Sequence, residues 1–271
     1  MDRLRPATAA ETVRLWPAVR AARIFATLEE LSHFRDSAPW CVRVTPAGES
    51  LLLGPWRHHG DLLAIRGLWA APARIPAFVE DAAVVARAQG FRRVLSPLVS
   101  EKGFEQYQHA GMAVHEPIVA LQGFAAELIC GELSTSPDIR DARPADFDEL
   151  ERLDGLCFDE FWRYGARELA DSYQRERMTV AQDEAGRIVG YATCSLHGAS
   201  ATLGRLAVEP SIRRAGIGRS LLCDSAAWAA HQQAYALTLC TQRSNTASRQ
   251  LYASAGLFEL PEAYVIGVRE A

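Results

Sequence analysis

Two glycines separated by one residue, flanked by arginines, form the stretch of this sequence best suited to chemistry: Arg213-Arg214-Ala215-Gly216-Ile217-Gly218-Arg219-Ser220. It stands between an apolar run ending Leu206-Ala207-Val208-Glu209-Pro210 and a periodic stretch through Ile217, Leu221, Leu222, Ser225, Trp228 and Ala229. That text predicts a strand, a turn and a helix over Ile217–His231. The first turn of a helix presents N–H groups with no intrahelical acceptor at the positive end of the macrodipole, which makes an anion site. Glycines let the backbone approach the anion without a Cβ in the way, and the arginines add charge. A pyrophosphate fits this description. The dinucleotide fingerprint G-x-G-x-x-G fails because Leu221 holds its third position, and no G-K-[ST] Walker sequence follows. On this stretch alone, a tight turn carrying solvated arginines stays open.

A second pattern lies downstream: Asn245-x-x-Ser248-x-x-Leu251-Tyr252-x-x-x-Gly256. Arg213-x-x-Gly216-x-Gly218 after a strand ending Leu206-Ala207-Val208, followed by this second part, resembles the GCN5-related N-acetyltransferase (GNAT) superfamily. The resemblance covers about residues 137 to 271. It implies acetyl-CoA as co-substrate and no metal. Leu206, Ala207 and Val208 would run along the pantetheine arm, as a peptide adds to a sheet edge. Arg213, Arg214, Ala215, Gly216, Ile217, Gly218, Arg219 and Ser220 would cradle the pyrophosphate. Asn245 would lie near the pantetheine and Tyr252 near the sulfur.

The chemistry expected of such a site is attack of a neutral amine on a thioester. The Val208 N–H is the expected oxyanion donor. Tyr252, a phenol ordinarily near pKa 10, is the expected acid for the departing thiolate; a core tyrosine on a helix is the plainer alternative. The base is less specified. Ribosomal-protein alanine acetyltransferases of the family carry a Glu five residues before the motif Asn, and here that position is Cys240. Glu209 is the nearest carboxylate in sequence and is taken as the catalytic base. A solvated carboxylate before Pro210, or a base acting through water, stays open beside it. Phe161-Trp162-Arg163-Tyr164 falls where this fold builds its acceptor site; aromatic walls and an Arg suit a carboxylate- or peptide-bearing amine, while ordinary core is the alternative. His58-His59 and His197 read as turn and loop residues.

These residues need elements to hold them. Asp183-Glu184-Ala185-Gly186 separates two strand-like runs, Thr179 to Gln182 and Ile188 to Leu196, expected to pair antiparallel. Further strands are expected over Thr202–Val208, Tyr235–Thr241 and Ala263–Val268, and a helix over Thr246–Ala255 closed by Gly256. Upstream, a strand at Ile139 leads to a helix through Phe147, Leu150 and Leu153. The N-terminus opens alike, at Leu4-Arg5-Pro6-Ala7 with a helix through Val13, Trp16, Val19 and Ile24.

That echo extends along the chain. Tyr107-Gln108-His109-Ala110-Gly111 matches Tyr252-Ala253-Ser254-Ala255-Gly256, and Leu68-Trp69-Ala70-Ala71-Pro72 sits opposite Leu206-Ala207-Val208-Glu209-Pro210. Eight residues separate Pro72 from Asp81, whereas thirteen separate Pro210 from Asp224. The shortfall removes the glycine-rich turn. The expected architecture is therefore an α/β fold on a mixed sheet, as two tandem GNAT-like domains: a degenerate copy over 1–125, a linker over 126–136 rich in Ser, Thr and Pro, and a catalytic copy over 137–271. Tandem members of the superfamily, mycothiol synthase among them, share that plan.

Composition sets the outer limits. The chain has 271 residues, 49% hydrophobic and 23% charged, with a net charge of −4. This is a globular balance that argues against a nucleic-acid binder. All but one of the 29 basic residues are arginine, Lys102 being the exception. No apolar run approaches the roughly 18–20 residues that span a bilayer, and no signal segment opens the chain. Six cysteines without a C-x-x-C pair read as reduced thiols in the cytoplasm. The leading expectation is an acetyl-CoA-dependent N-acetyltransferase acting on a small amine or a protein N-terminus, with no nucleic-acid or membrane partner. A non-catalytic acyl-CoA-binding regulatory module is the alternative.

Overall fold

The computed structural model describes residues 3–128 and 137–271. The chain divides into two compact units: one holds the chain up to Pro117 together with Tyr264–Ala271, the other Ile118–Ala263. This differs from the expected division at 125 and 137. The strand Ala113–Phe124 enters the second unit at Ile118 and pairs antiparallel with Ala236–Gln242, from Ile118 opposite Gln242 to Phe124 opposite Ala236. The last strand, Phe258–Glu270, returns its end to the first unit, where Val268–Glu270 pairs with Arg93–Leu95. Positions 129–136 of the expected linker lie outside the described residues.

Element by element, the two units repeat one plan. In the first, a short strand Arg5–Pro6 leads to helices Ala9–Ala21 and Leu28–Ser37. The strands Val42–Val44, Ser50–Pro55 and Leu62–Trp69, the helix Ile75–Ala88, the strand Arg93–Leu95 and the helix Glu105–His109 follow. In the second, the same order runs through Asp138–Asp141, Phe147–Cys157, Ala166–Arg175, Arg177–Gln182, Ile188–His197, Ser200–Val208, Ile217–His231, Ala236–Gln242 and Thr246–Ser254. The opening helix places Thr12, Leu15 and Val19 inward and leaves Val13 53% exposed, so its buried stripe is shifted from the expected one; Ile24 falls beyond its end.

In the second unit the long strand Ile188–His197 is central, with Arg177–Gln182 on one side and Ser200–Val208 on the other, both antiparallel. One face of this sheet packs on Ile217–His231. Leu221, Leu222, Ala226 and Ala229 are essentially inaccessible there, with Ala201, Leu203 and Leu237 beneath. Burying a leucine side chain contributes about 1.5–3 kcal/mol, so this helix is fixed by its apolar stripe. The other face packs on Phe147–Cys157 and Ala166–Arg175 through Leu150, Leu153, Leu169 and Tyr191.

Cys223 is disulfide-bonded, which corrects the expectation that all six thiols are reduced; Cys41, Cys157, Cys194 and Cys240 are free. Among the described residues, no helix is long and apolar enough to cross a membrane.

Candidate active site

Ser200–Val208 and Ala236–Gln242 run parallel but stay paired only from Ser200 opposite Ala236 to Thr202 opposite Thr238. The Thr238 hydroxyl closes that last rung, 3.1 Å from Thr202 Oγ1 and 3.1 Å from the Ala201 carbonyl. Beyond it, among the described residues, Leu203 to Val208 have no strand partner on this side, although their other edge stays paired to Ile188–His197. The backbone phase follows from one bond. The Glu209 N–H donates to the Val189 carbonyl at 2.9 Å, which makes Val208 and Gly190 a non-hydrogen-bonded pair. The N–H and C=O groups of Leu206 and Val208 therefore point into the opening, and those of Ala207 point away. A strand-like ligand arm has an edge to bind here. Arg213 Nε and the Cys157 thiol each donate to the Val208 carbonyl at 3.2 Å.

Where the strand ends, the chain turns through a short 3-10 segment, Pro210–Ile212, to the head of Ile217–His231. Gly216 occupies the position before the first helical residue with φ +86°, and Arg214 has φ +70°. Glycine is the residue that adopts this left-handed backbone without steric penalty. No side chain caps this helix end, so its first-turn N–H groups are available to an anion. Gly218 packs so closely that a Cβ would lie 3.3 Å from Leu251 and 3.6 Å from Val208. Arg213, Arg214 and Ala215 are exposed on the turn, Ile217 is buried beneath it, and Ser220 returns its N–H to the Gly216 carbonyl at 3.0 Å. Arg219 reaches the Ser254 hydroxyl at 2.6 Å. The expected cradle residues are thus brought together, and an anionic group of pyrophosphate size fits the donor set.

Asn245 is the N-cap of Thr246–Ser254: its Oδ1 accepts from the Ser248 N–H at 3.2 Å, and its Nδ2 lies 3.4 Å from Thr241 Oγ1. Its first role is local, holding the helix that carries Tyr252. Tyr252 is 6% exposed among Leu239, Ala255 and Leu257, and burial pushes its phenol up to about 12. It is therefore a protonated donor throughout the physiological range. Cys240 lies on the neighbouring strand opposite Ala120, with its side chain exposed.

Glu209, the expected base, follows Val208 directly at the end of its strand. Its carboxylate accepts from Ser211 Oγ at 2.9 Å and faces Arg152 at 3.5 Å. It sits at the turn end of the strand. Phe161-Trp162-Arg163-Tyr164 lies between two helices rather than within one, with the Phe161 and Trp162 rings edge to face at 4.9 Å. His197 Nε2 lies 3.0 Å from Ser195 Oγ, and His58 and His59 stack on each other at 4.7 Å.

A cluster that the motifs did not reveal holds this segment. Arg205 and Asp154, both buried, form a two-point ion pair, and Tyr191 donates its hydroxyl to Asp154. Arg205 also donates to the Trp162 carbonyl at 2.9 Å, and its guanidinium lies 3.5 Å from the Phe158 ring centroid and 3.9 Å from that of Tyr164. Asp154 Oδ1 accepts from the Tyr164 N–H at 2.6 Å. The signal was present in the sequence: a carboxylate inside the Leu150–Leu153 stripe and an arginine inside an apolar strand, both residue types that are rarely buried unpaired.

The first unit opens in the same way. Leu62–Trp69 pairs in parallel with Arg93–Leu95 only through Ala64. Its turn, however, is Pro72–Arg74 leading directly into Ile75–Ala88, with Pro76 in the first helical turn, where it removes an N–H donor. Arg74 is drawn to Glu49 at 3.2 Å, and the Trp69 ring lies against Gly67. Tyr107 is buried like Tyr252, with its phenol also pushed up to about 12.

Comparisons with known proteins agree with this geometry. Residues 147–257 match the model of the Acetyltransferase (GNAT) family. A tandem GNAT protein from the clavulanic acid biosynthesis pathway superposes with a TM-score of 0.71 at 14% identity, covering 100% of this chain and 98% of that one. A GCN5-related N-acetyltransferase from Sphaerobacter thermophilus gives 0.67 at 15% identity, covering 99% and 95%. One from Kribbella flavida gives 0.58 at 13% identity, covering 81% and 86%. At these identities the likeness is one of fold. The comparison with curated proteins returns no match. Residues 147–257 thus match the GNAT family, and the chain as a whole has the fold of these structures, a tandem GNAT protein among them.

Proposed function

We propose that this protein is an acetyl-CoA-dependent N-acetyltransferase acting through its second unit, on an amine acceptor that is a small molecule or a peptide N-terminus. The observation that carries the reading is the unpaired edge at Leu206 and Val208 leading to the left-handed Gly216 at the head of Ile217–His231. Acetyl-CoA supplies an activated acetyl thioester. Leu206 and Val208 offer backbone groups to its extended arm, and the turn from Arg213 to Ser220 offers N–H groups and positive charge to its pyrophosphate. The Val208 N–H, aimed into the opening, is the fixed dipole for developing negative charge. Tyr252 holds a proton for the leaving thiolate, and Asn245 keeps the helix of Tyr252 in place. Glu209 belongs to the turn end of the strand, where it holds Arg152 and Ser211 beside the cradle. A cytoplasmic reaction is part of this reading, and a reducing milieu there would act on the Cys223 disulfide.

Thiol release from acetyl-CoA, followed with a panel of primary amines and peptides and with mass analysis of the products, tests this. Acetylated amine formed in step with free CoA is expected. Saturable CoA binding with no turnover on any acceptor would identify a regulatory module instead.

A further inference from the structure

The strand Ser200–Val208 carries one extra residue. Opposite Ile188–His197 the register passes from Leu203 facing Cys194 to Arg205 facing Thr193, leaving Gly204 as a bulge. A Cβ at Gly204 would stand 3.0 Å from Glu176 Oε2 and 3.0 Å from Thr193 Oγ1, a crowding that suits glycine to the extra position. A bulge inverts the alternation of everything beyond it. Leu203 faces the helix Ile217–His231, and past the bulge Leu206 and Val208 do so too, while Arg205 and Ala207 face Phe147–Cys157. The backbone inverts with the side chains. Arg205, Ala207 and Glu209 turn their N–H and C=O groups to Thr193, Tyr191 and Val189, which leaves those of Leu206 and Val208 to the opening.

The strand has a second register, in which the extra residue lies past Val208. Gly204 would then face Thr193, Leu206 would face Tyr191, and Val208 would face Val189. The backbone groups of Leu206 and Val208 would be spent on Ile188–His197. Apolar burial does not choose between the two registers. Leu206 and Val208 are half-buried against the cluster of Ile217 and Leu221, and the opposite face offers Leu150, Leu153 and Tyr191 in its place. Arg205 does choose. It is buried with Nε and Nη2 on Asp154 at 2.7 Å, Nη2 on the Trp162 carbonyl at 2.9 Å, and its guanidinium against the Phe158 and Tyr164 rings. In the second register it would enter the apolar cluster of Leu203, Ile217 and Leu221. The one acid of the helix there, Asp224, is already held by Arg177 at 2.6 Å. A guanidinium buried without a partner is strongly unfavourable.

We propose that the Arg205–Asp154 pair is a positioning device that admits only the bulged register of Ser200–Val208 and so presents the backbone groups of Leu206 and Val208, rather than those of Arg205 and Ala207, to acetyl-CoA. In the second register the Val208 N–H would be withdrawn from the opening. Asp154 is fixed before Arg205 reaches it, because the Tyr191 hydroxyl and the Tyr164 N–H both donate to it. Fixing a register is the best-attested use of a buried polar group. The consequence for acetyl-CoA rests on the acetyltransferase reading above; the choice of register does not.

Two variants of the full chain test this, each followed by titration with acetyl-CoA and by amide hydrogen exchange. Asp154→Asn with Arg205→Met removes both charges and keeps an amide acceptor for Tyr191 and Tyr164, so neither register is barred. Its apparent acetyl-CoA Kd is expected to rise about tenfold or more, because only the bulged fraction binds. Without ligand, Leu206 and Val208 are expected to gain exchange protection and Ala207 to lose it. Arg205→Lys gives up the fork and the ring contacts but keeps the charge that bars the second register. Its Tm is expected to fall while its Kd stays within about threefold of wild type and its exchange pattern is kept. A role in stability alone would rank affinity with Tm instead. A folded double variant with the Kd and exchange pattern of wild type overturns the proposal. If the double variant does not fold, Arg205→Lys decides: affinity kept at a lower Tm supports the proposal, and affinity lost in step with Tm overturns it. A wild type that binds no acetyl-CoA overturns the acetyltransferase reading, and the exchange patterns then judge the register by themselves.

Discussion

Arg205 and Asp154 meet through two hydrogen bonds of 2.7 Å, Nε to Oδ2 and Nη2 to Oδ1, with the Asp154 side chain 0% and the Arg205 side chain 6% exposed. The pair joins the helix Phe147–Cys157 to the strand that carries Leu206 and Val208. Removing one member of a buried pair strands the other charge and costs about 3–5 kcal/mol. Asp154→Ala is therefore expected to lower stability by that amount in denaturant unfolding. Arg152→Ala, which breaks the more exposed contacts to Glu149 and Glu209, is expected to change it by about 0–1 kcal/mol. Equal effects would remove the cluster from its organising role.

Tyr252→Phe is expected to lower kcat by about 10²–10⁴-fold while leaving the acetyl-CoA Kd nearly unchanged. The phenol is buried in the cluster with Leu239, Ala255 and Leu257, and the substitution removes its hydroxyl alone. Unchanged kcat, with chemistry shown to limit the rate, would take Tyr252 out of the mechanism.

Gly216→Val is expected to weaken acetyl-CoA binding at least tenfold in a titration. A β-branched residue at φ +86° is strained, at a cost of about 1–3 kcal/mol, so a lower Tm is expected as well. Gly216→Ala, with less bulk, separates the two effects: affinity is expected to fall by a larger factor than the folding equilibrium. Full affinity in folded Gly216→Ala would refute the cradle.

Alkaline unfolding has a defined sign. Burial raises Tyr107 and Tyr252 from about 10 to about 12. Between these values the unfolded chain releases protons that the native state keeps, so stability is fully present below pH 10 and falls as pH rises toward 12. Phenolate absorbance followed together with far-UV dichroism checks this. Ionisation of these two phenols near pH 10 in a still-folded chain would contradict it.

Much of the second unit was legible because its signals are local. Ile217–His231 matches its apolar period at both ends, and Gly256 closes Thr246–Ser254 at φ +95°. The glycine turn followed from residue type alone. What sequence could not supply was pairing at a distance. The strand Ile118–Phe124 and the strand end Tyr264–Glu270 each join the unit that their sequence position does not suggest. The nearest carboxylate in sequence, Glu209, proved to be held by Ser211 and Arg152. Cys223 carried no spacing signal for a disulfide.

The central claim is a single acetyl-CoA cleft per chain, in the second unit, and calorimetric titration tests it most directly. Both units part their strands after a short parallel pairing, so geometry alone would allow two sites. The turn Pro72–Arg74, with Pro76 in the following helix, lacks the glycines and some of the N–H donors that the turn at Gly216 supplies. Titration with acetyl-CoA is expected to give one site per chain, abolished when Gly216 and Gly218 are both replaced by valine in a chain shown to stay folded. Two sites per chain, or binding that survives this replacement, would contradict the account.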